Sequence, residues 1–244
     1  MKDLFSTGAE QYAQFRPRYP EELFEFLESI LTEKNIVWDC ATGNGQVAAS
    51  LSGFMQQVEA TDISRQQLQN AIKKPNIRYS VQPAENTDFP KDFFDLVTVA
   101  QAVHWFNMDR FFSEVKRVLK PSGVLAVIGY SLFRSNAGTD KIIDHFYQKI
   151  IGSYWDEERR YLEERYQTIP FPFKEIPAPE LIINEEWSFE RLTGYLRTWS
   201  AVKHYKEKNG KDPVSLIESI LFEEFGERGV VEFPLLLRLG KKEA

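Results

Sequence analysis

Two carboxylates each close a short apolar run in this chain, and the residues between them are small enough for a ligand to approach main chain. Val37-Trp38-Asp39-Cys40-Ala41-Thr42-Gly43-Asn44-Gly45-Gln46 puts Asp39 at the end of one run, followed by a small-residue loop, and Val47-Ala48-Ala49 opens a helix. Nineteen residues after Gly43, Asp62 ends the run Val58-Glu59-Ala60-Thr61-Asp62. Glycines allow close backbone approach, a helix N-terminus faces the ligand, and a second carboxylate can accept ribose hydroxyls. The spacing therefore predicts a nucleoside-binding α/β crevice. Gly43-Asn44-Gly45-Gln46-Val47-Ala48 also fits the dinucleotide spacing G-x-G-x-x-A. Three features point away from a dinucleotide. A helix of roughly fifteen residues precedes the first strand, Asp39 stands four residues before Gly43 where it would repel a pyrophosphate, and the tail supplies a sixth strand, two helices and a final strand able to pair antiparallel. All three fit an adenosine cofactor carrying an amino acid in place of pyrophosphate, which is S-adenosylmethionine.

These groups need a scaffold, and hydrophobic periodicity supplies one. Pro20 opens a helix with Leu23, Phe24, Phe26, Leu27, Ile30 and Leu31 at helical spacing. Ile36 to Asp39 reads as the first strand, Gly45 to Leu51 as a helix, and Gln57 to Thr61 as the second strand. Ser64 with Gln67 forms a capping box for a helix through Ile72. Ile77 to Val81 and Leu96 to Ala100 are the third and fourth strands. Asn107 caps a helix with Met108, Phe111, Phe112, Val115, Val118 and Leu119 on one face, stopped by Pro121 and Gly123; Val124 to Tyr130 is the fifth strand. Beyond Ser131, helices are expected over Asp140 to Ile151 and Tyr154 to Tyr166, the second a solvated face that includes Asp156-Glu157-Glu158-Arg159-Arg160. Prolines 170, 172, 177 and 179 exclude central strand or long helix. Leu181 to Asn184 is the sixth strand, Ser188 caps a helix to about Tyr205, and Asp212-Pro213 starts another to Phe225-Gly226. Leu235 to Leu239 is the last strand, with Pro234 expected only as its first residue.

Alternation of this kind predicts an α/β fold: a doubly wound, mostly parallel seven-stranded sheet with an antiparallel last strand and a helical lid. The expected organisation is a single domain. Residues 1–130 form an N-terminal cap and cofactor core, 131–226 a lid over the substrate with the sixth strand, and 227–244 the strand that completes the sheet. Of 244 residues, 43% are apolar and 14% aromatic, enough for a packed core. A net charge of -6 offers no whole-chain footprint for nucleic acid, so no nucleic-acid partner is expected. A single cysteine, Cys40, excludes an intrachain disulfide and a Cys-based zinc cluster. With three histidines and no tight acidic cluster, no metal site is expected. No spanning run or signal peptide is visible, which makes a cytoplasmic protein with no membrane partner the expectation.

The motifs together resemble those of class I S-adenosylmethionine-dependent methyltransferases. Asp39 to Gly45 is similar to their first motif, D-x-G-x-G-x-G. More narrowly, Arg16-Pro17-Arg18-Tyr19-Pro20, Trp38-Asp39 with Thr42-Gly43-Asn44-Gly45-Gln46, Asp62-Ile63-Ser64, Ala84-Glu85, Ala100-Gln101-Ala102-Val103-His104-Trp105-Phe106 and Val115-Lys116-Arg117-Val118-Leu119 resemble the trans-aconitate methyltransferase-like and plant embryo-abundant-type methyltransferases. The likeness spans residues 5 to 130, with a weaker echo in Tyr195-Leu196-Arg197-Thr198-Trp199-Ser200. Two departures stand out. Ala41 replaces a frequent glycine, acceptable at negative φ, and Pro83 stands where many relatives carry an acid for the adenine amino group.

The resemblance implies roles. Asp39 orients the loop and the methionine ammonium, with Ala41, Gly43 and Gly45 backbone against the methionine part. Asp62 accepts the ribose hydroxyls and Ile63 packs on adenine, while Ala84 and Glu85 flank the base. Gln101 approaches the methionine end, and Arg16 pairs the cofactor carboxylate beneath Tyr12 and Tyr19. It also implies a small-molecule acceptor, a small carboxylic acid giving a methyl ester. A carboxylate nucleophile needs no general base; a phenol, amine or thiol does, and His104 is the one histidine placed to serve as base or as site wall. Arg197, Lys203, Arg134 and Arg165 are the candidate cations for acceptor carboxylates, with Trp105 and Trp199 for an apolar portion. The alternatives are an NAD(P)-dependent oxidoreductase, a nucleic-acid methyltransferase, which the absence of an N/D-P-P-Y motif after strand four disfavours, and a cofactor-binding protein without turnover. Neither the acceptor nor the oligomeric state is legible from sequence.

Overall fold

The structure is a computed structural model that describes residues 15–243. Its sheet runs β3-β2-β1-β4-β5-β8-β6, with β7 pairing only to β8. The strands are β1 (Ile36–Cys40), β2 (Gln57–Asp62), β3 (Ile77–Val81), β4 (Phe94–Ala100), β5 (Leu119–Tyr130), β6 (Lys174–Ile176), β7 (Ile182–Ser188) and β8 (Arg228–Lys241). β1 to β5 are mutually parallel and β8 runs antiparallel to β5. The mostly parallel, doubly wound sheet with an antiparallel last strand is the expected fold class. β6 is an addition, a three-residue edge strand inside the proline-punctuated segment.

Side-chain alternation divides the core into two layers. Val37, Leu96, Val124, Ala126 and Ile128 face one layer, with Leu23, Phe24 and Leu27 of α1 (Glu21–Ile30) and Val47, Ala48 and Leu51 of α2 (Gln46–Leu51). Ile36, Trp38, Val97, Val99, Leu125 and Val127 face the other, against Phe111, Phe112, Val115 and Val118. A period of two along strands buried on both faces requires this arrangement. The Ser64 hydroxyl accepts from Gln67 N (3.3 Å) to start α3 (Arg65–Gln69), and Asn107 accepts from Arg110 N (3.2 Å) to start α4 (Met108–Val118). Both caps fall where they were expected. α4 gives way directly to β5, and Pro121-Ser122-Gly123 bulges out of register between the pairs Phe94↔Leu119 and Leu96↔Val124.

Four readings need correction. β8 is fourteen residues long and Pro234 lies inside it. The strand changes partner there: Ile182↔Pro234 is the last pair with β7 and Tyr130↔Leu235 the first with β5. Ser131 N donates to Pro234 O (3.1 Å), and the return bond that proline cannot give falls beyond the end of β5. Second, the helix expected from Ser188 to Tyr205 is two, α7 (Phe189–Arg197) and α8 (Ser200–Asn209), because the chain turns at Thr198-Trp199 to bury Trp199. α9 (Glu218–Phe225) follows a 3-10 turn at Pro213–Leu216. Third, the helix at 140–151 is α5 (Ala137–His145) continuing into a π turn, Phe146–Ile150. Fourth, the solvated helix over 154–166 is broken into the 3-10 turns Gly152–Tyr154 and Glu157–Arg159 and a four-residue helix. Leu162 and Tyr166 are buried there, and the chain leaves helical geometry at Arg165 and Tyr166, whose φ values are +54 and +60. That four-residue helix is α6 (Arg160–Glu163). Among the described residues no helix is long and apolar enough to cross a membrane.

Candidate active site

In the strand order β2-β1-β4 the sheet reverses direction of build between β1 and β4, and an open α/β sheet holds ligands outside its strand ends at such a point. A cleft of about 1000 Å³, open to solvent, lies there. Its walls come from Arg16, Pro17 and Tyr19, the loop after β1, the end of β2 with Ile63 and Ser64, the end of β4 with Gln101, Trp105 and Phe106, and Tyr130.

The loop is held by its own carboxylates. Asp39 is 1% exposed and accepts from the hydroxyls of Thr42 (2.5 Å) and Thr98 (2.8 Å). Thr98 is its register partner on β4. Burial pushes Asp39 up to about 6, with the two hydroxyl bonds opposing. Asp62 accepts from Gly43 N (2.9 Å) and Ser64 N (2.8 Å), so one carboxylate pins the glycine loop to the start of α3 while lining the cleft. Gly43 has φ +56, and a Cβ there would meet nothing within 4 Å. Gly45 has φ +78, and a Cβ would stand 2.3 Å from the Tyr79 hydroxyl, so glycine is required for packing as well as backbone there. Ala41 departs from expectation: its φ is +53, in the left-handed region, where a side chain costs about 1–2 kcal/mol. Gln101, at φ +54, is the other strained residue of the cleft, tied by Gln101 N to Ile128 O (2.8 Å) and by its amide to Tyr130 O (3.1 Å).

Arg16 donates to the Tyr130 hydroxyl (3.0 Å) and stacks over Tyr195 at 5.3 Å. It lines both this cleft and a second, smaller one of about 440 Å³, which Gln101 and Trp105 also border. The second cleft contains His104, Trp155, Arg159, Leu162, Trp199 and Ser200. His104 is 4% exposed, and its Nδ1 lies 3.4 Å from the Tyr166 hydroxyl. Burial, then the positive charge of Arg159 and of Arg16, lowers it to about 3. An imidazole held there is neutral at pH 7 and a feeble base.

Of the residues singled out from sequence, the first cleft gathers Arg16, Tyr19, Asp39, Ala41, Gly43, Asp62, Ile63, Gln101 and Trp105. The second gathers His104 and Trp199. Tyr12 lies outside the described residues. Gly45 caps α2 from behind the cleft. Ala84 is buried in the α4 layer and Glu85 accepts from Asn107 N (3.2 Å); neither lines the cleft. The cation candidates fare differently. Arg197 pairs with Asp212 (2.7 Å) and Glu218 (3.2 Å) and lines neither cleft. Its place at an exposed helix end lets acidic neighbours capture it. Arg134 pairs with Asp144 (2.9 Å), Arg165 is exposed, and Lys203 is half-buried outside both clefts, its amine held down by burial and by Arg16. Arg159, which none of these readings named, is instead the cation that lines the second cleft beside Arg16, and the charged run around it had concealed it. Thr98 was also missed, although a threonine inside the apolar run Leu96 to Ala100 was a usable signal. Tyr130 and Tyr166 carried none.

A doubly wound sheet with a cleft at its reversal point, a carboxylate at the end of β2 and a glycine loop open above Gly43 is the arrangement of the Rossmann-like transferase class that uses S-adenosyl-L-methionine. Comparison with known proteins agrees. A family model described as "Methyltransferase domain" matches residues 38–127. A Dictyostelium discoideum protein named "Putative methyltransferase" is 31% identical over 251 residues, covering 99% of this chain and 95% of that one. A solved structure titled "Putative Type II Methyltransferase", from Anaeromyxobacter dehalogenans, superposes with a TM-score of 0.87 at 38% identity, covering 94% of this chain and 100% of that one. A Haemonchus contortus phosphoethanolamine N-methyltransferase solved with S-adenosyl-L-methionine shares the fold, with a TM-score of 0.51 at 20% identity over 98% of this chain and 57% of that one. The chain belongs to the methyltransferase family, and its cofactor is S-adenosyl-L-methionine.

Proposed function

We propose that the chain methylates a carboxylate oxygen of a small organic acid, giving a methyl ester. The observation that carries this reading is the second cleft. It places Arg16 and Arg159 among three indoles beside a histidine too weakly basic to remove a proton. A carboxylate is already ionised at pH 7 and needs only alignment, whereas a phenol, amine or thiol must lose a proton to a base that the described lining does not offer.

On this reading, Asp62 holds the ribose hydroxyls, Ile63 lies against the adenine, and Arg16, braced by Tyr130 and Tyr195, takes the cofactor carboxylate. Asp39 sets the loop through Thr42 and Thr98. The bound cofactor supplies a methyl on positively charged sulfur: an acceptor oxygen lone pair forms the new bond to carbon while the carbon–sulfur pair stays on sulfur, leaving a methyl ester and S-adenosylhomocysteine. Gln101, Trp105 and Arg16 border both clefts, so they frame the passage through which the acceptor meets the methyl. Residues 131–226 act as the acceptor-side lid, closing water out. Positioning of this sort supplies about 7–11 kcal/mol in well-oriented reactions, enough to carry much of the catalysis.

The test is transfer of labelled methyl from S-adenosylmethionine to a panel of small carboxylic acids, phenols and amines, read by mass spectrometry. Ester formation is expected. Methylation of a phenol or amine with no acid turned over would overturn the carboxylate assignment. Binding of S-adenosylhomocysteine with no acceptor methylated at all would identify a cofactor-binding protein without turnover.

A further inference from the structure

We infer that Arg159 is the residue that selects the acceptor by its negative charge, and that Tyr147 positions it. The inference rests on the carboxylate reading above and assigns that site its discriminating side chain. Arg159 ends a 3-10 turn, half-buried, and borders the second cleft with His104 and Trp199. Its guanidinium stacks over Trp155 at 4.6 Å and over Tyr147 at 5.6 Å. Its Nε donates to the Tyr147 hydroxyl (3.1 Å), and that hydroxyl donates onward to Glu163 (2.6 Å).

The relay matters because of what it avoids. Glu163 could have paired with Arg159 directly; instead its charge is spent on a tyrosine hydroxyl, and Arg159 is gripped by a neutral group. Among the described residues no carboxylate lies within ion-pair distance of Arg159, whereas Arg197, Arg191 and Arg238 are each matched by an acid. Tyr147 and Trp155, whose rings lie 4.8 Å apart, therefore occupy one side of the guanidinium, and the Tyr147 hydroxyl holds its Nε edge. Among the described residues the terminal nitrogens, which form the two-pronged edge that fits a carboxylate, carry no protein hydrogen bond. A guanidinium built this way costs desolvation, which ring stacking and a single bond to a neutral hydroxyl offset only in part. It makes physical sense as a fixed receptor for an anion, flanked by indoles that suit a flat apolar portion.

The experiment titrates the complex with S-adenosylhomocysteine by tryptophan fluorescence, using benzoate as the anionic probe and benzamide as its uncharged isostere. The wild type should bind benzoate at least about tenfold more tightly than benzamide. Arg159→Gln should lose about ten- to a hundredfold in benzoate affinity with benzamide and S-adenosylhomocysteine affinities unchanged. Arg159→Lys should recover part of it, and Tyr147→Phe should lose less than Arg159→Gln in the same direction. A merely structural arginine would move both probes together. Equal benzoate affinity in wild type and Arg159→Gln overturns the inference, as does a wild type that fails to distinguish the two probes. The outcome is separable from the acceptor reading: charge selection lost in Arg159→Gln, with no acid ever esterified, keeps the anion site and removes the carboxylate as methyl acceptor.

Discussion

Replacing Asp62 by alanine tests the cofactor site most directly, because one side chain there has two duties of different size. In the protein alone it accepts from Gly43 N and Ser64 N. Both donors border the cleft, where water can replace the lost acceptor, so the stability cost is about 1–2 kcal/mol. On the proposed reading the carboxylate also takes two ribose hydroxyls in the complex. A hydrogen bond to a charged group is worth about 1.5–3 kcal/mol, so losing two at the lower value weakens binding by about 3 kcal/mol, roughly a hundredfold. Asp62→Asn keeps the shape, but its amide oxygen can serve only one of the two backbone donors, and it should fall between. Calorimetric titration with S-adenosylhomocysteine, beside urea unfolding of each variant, separates the two effects. A folded Asp62→Ala variant that binds within about threefold of wild type would refute the ribose assignment, whatever happened to its stability.

Ala41→Gly removes the Cβ from a residue at φ +53; the relief of about 1–2 kcal/mol, less about 0.4–1 for the freer unfolded chain, should leave the protein level or up to about 1.6 kcal/mol more stable in urea. A clear loss would show that the left-handed turn is unstrained. Burial holds Asp39 at about 6 against about 3.9 unfolded, so the folded form keeps a proton that the unfolded chain has released, and stability from this group is lost as pH rises through that window. Asp39→Asn should remove that fall, measured as the difference from wild type in urea midpoints between about pH 4 and 7. His104 has the opposite sign: held at about 3 against about 6.5 unfolded, it favours unfolding as pH falls across that range. Its ring resonances should show no titration between about pH 5 and 8, and a titration near 6.5 would contradict its burial beneath Arg16 and Arg159.

Much of this fold was legible because the strands carry their own signature. β1 to β5 are apolar runs closed by turn chemistry, and the caps Ser64 and Asn107 mark helix starts by a local bond that sequence shows directly. The cofactor side was legible for a similar reason, since Asp39, Gly43 and Asp62 lie at strand ends with fixed spacing. The acceptor side was not. Arg159 and Arg197 are both arginines in charged surroundings, and only tertiary placement decides which is captured by acids and which is held by rings. Pro234 was misjudged because the rule against interior prolines assumes a strand that keeps one partner, and β8 exchanges β7 for β5 at that residue. The helix predicted across Arg159 failed because nothing in a charged pattern marks the chain's turn into left-handed backbone at Arg165 and Tyr166.

The same desolvation explains which side chains this site can employ. It pushes Asp39 up to about 6, His104 down to about 3 and the Lys203 amine downward, so carboxylate, imidazole and ammonium each move toward their neutral forms as they are buried. A guanidinium resists, because its charge is delocalised over three nitrogens. Arg16 and Arg159 can thus carry positive charge into half-buried clefts, and stacking on Tyr195 and Trp155 offsets part of the lost hydration without neutralising it. A lysine in either place would tend to deprotonate, and a histidine would become the neutral wall that His104 already is. Fixed positive charge, in a cleft whose described lining offers no competent base, suits the proposed acceptor, whose nucleophile is ionised before it arrives. That consistency between the arginines present and the base omitted is the physical ground on which the proposed esterification rests.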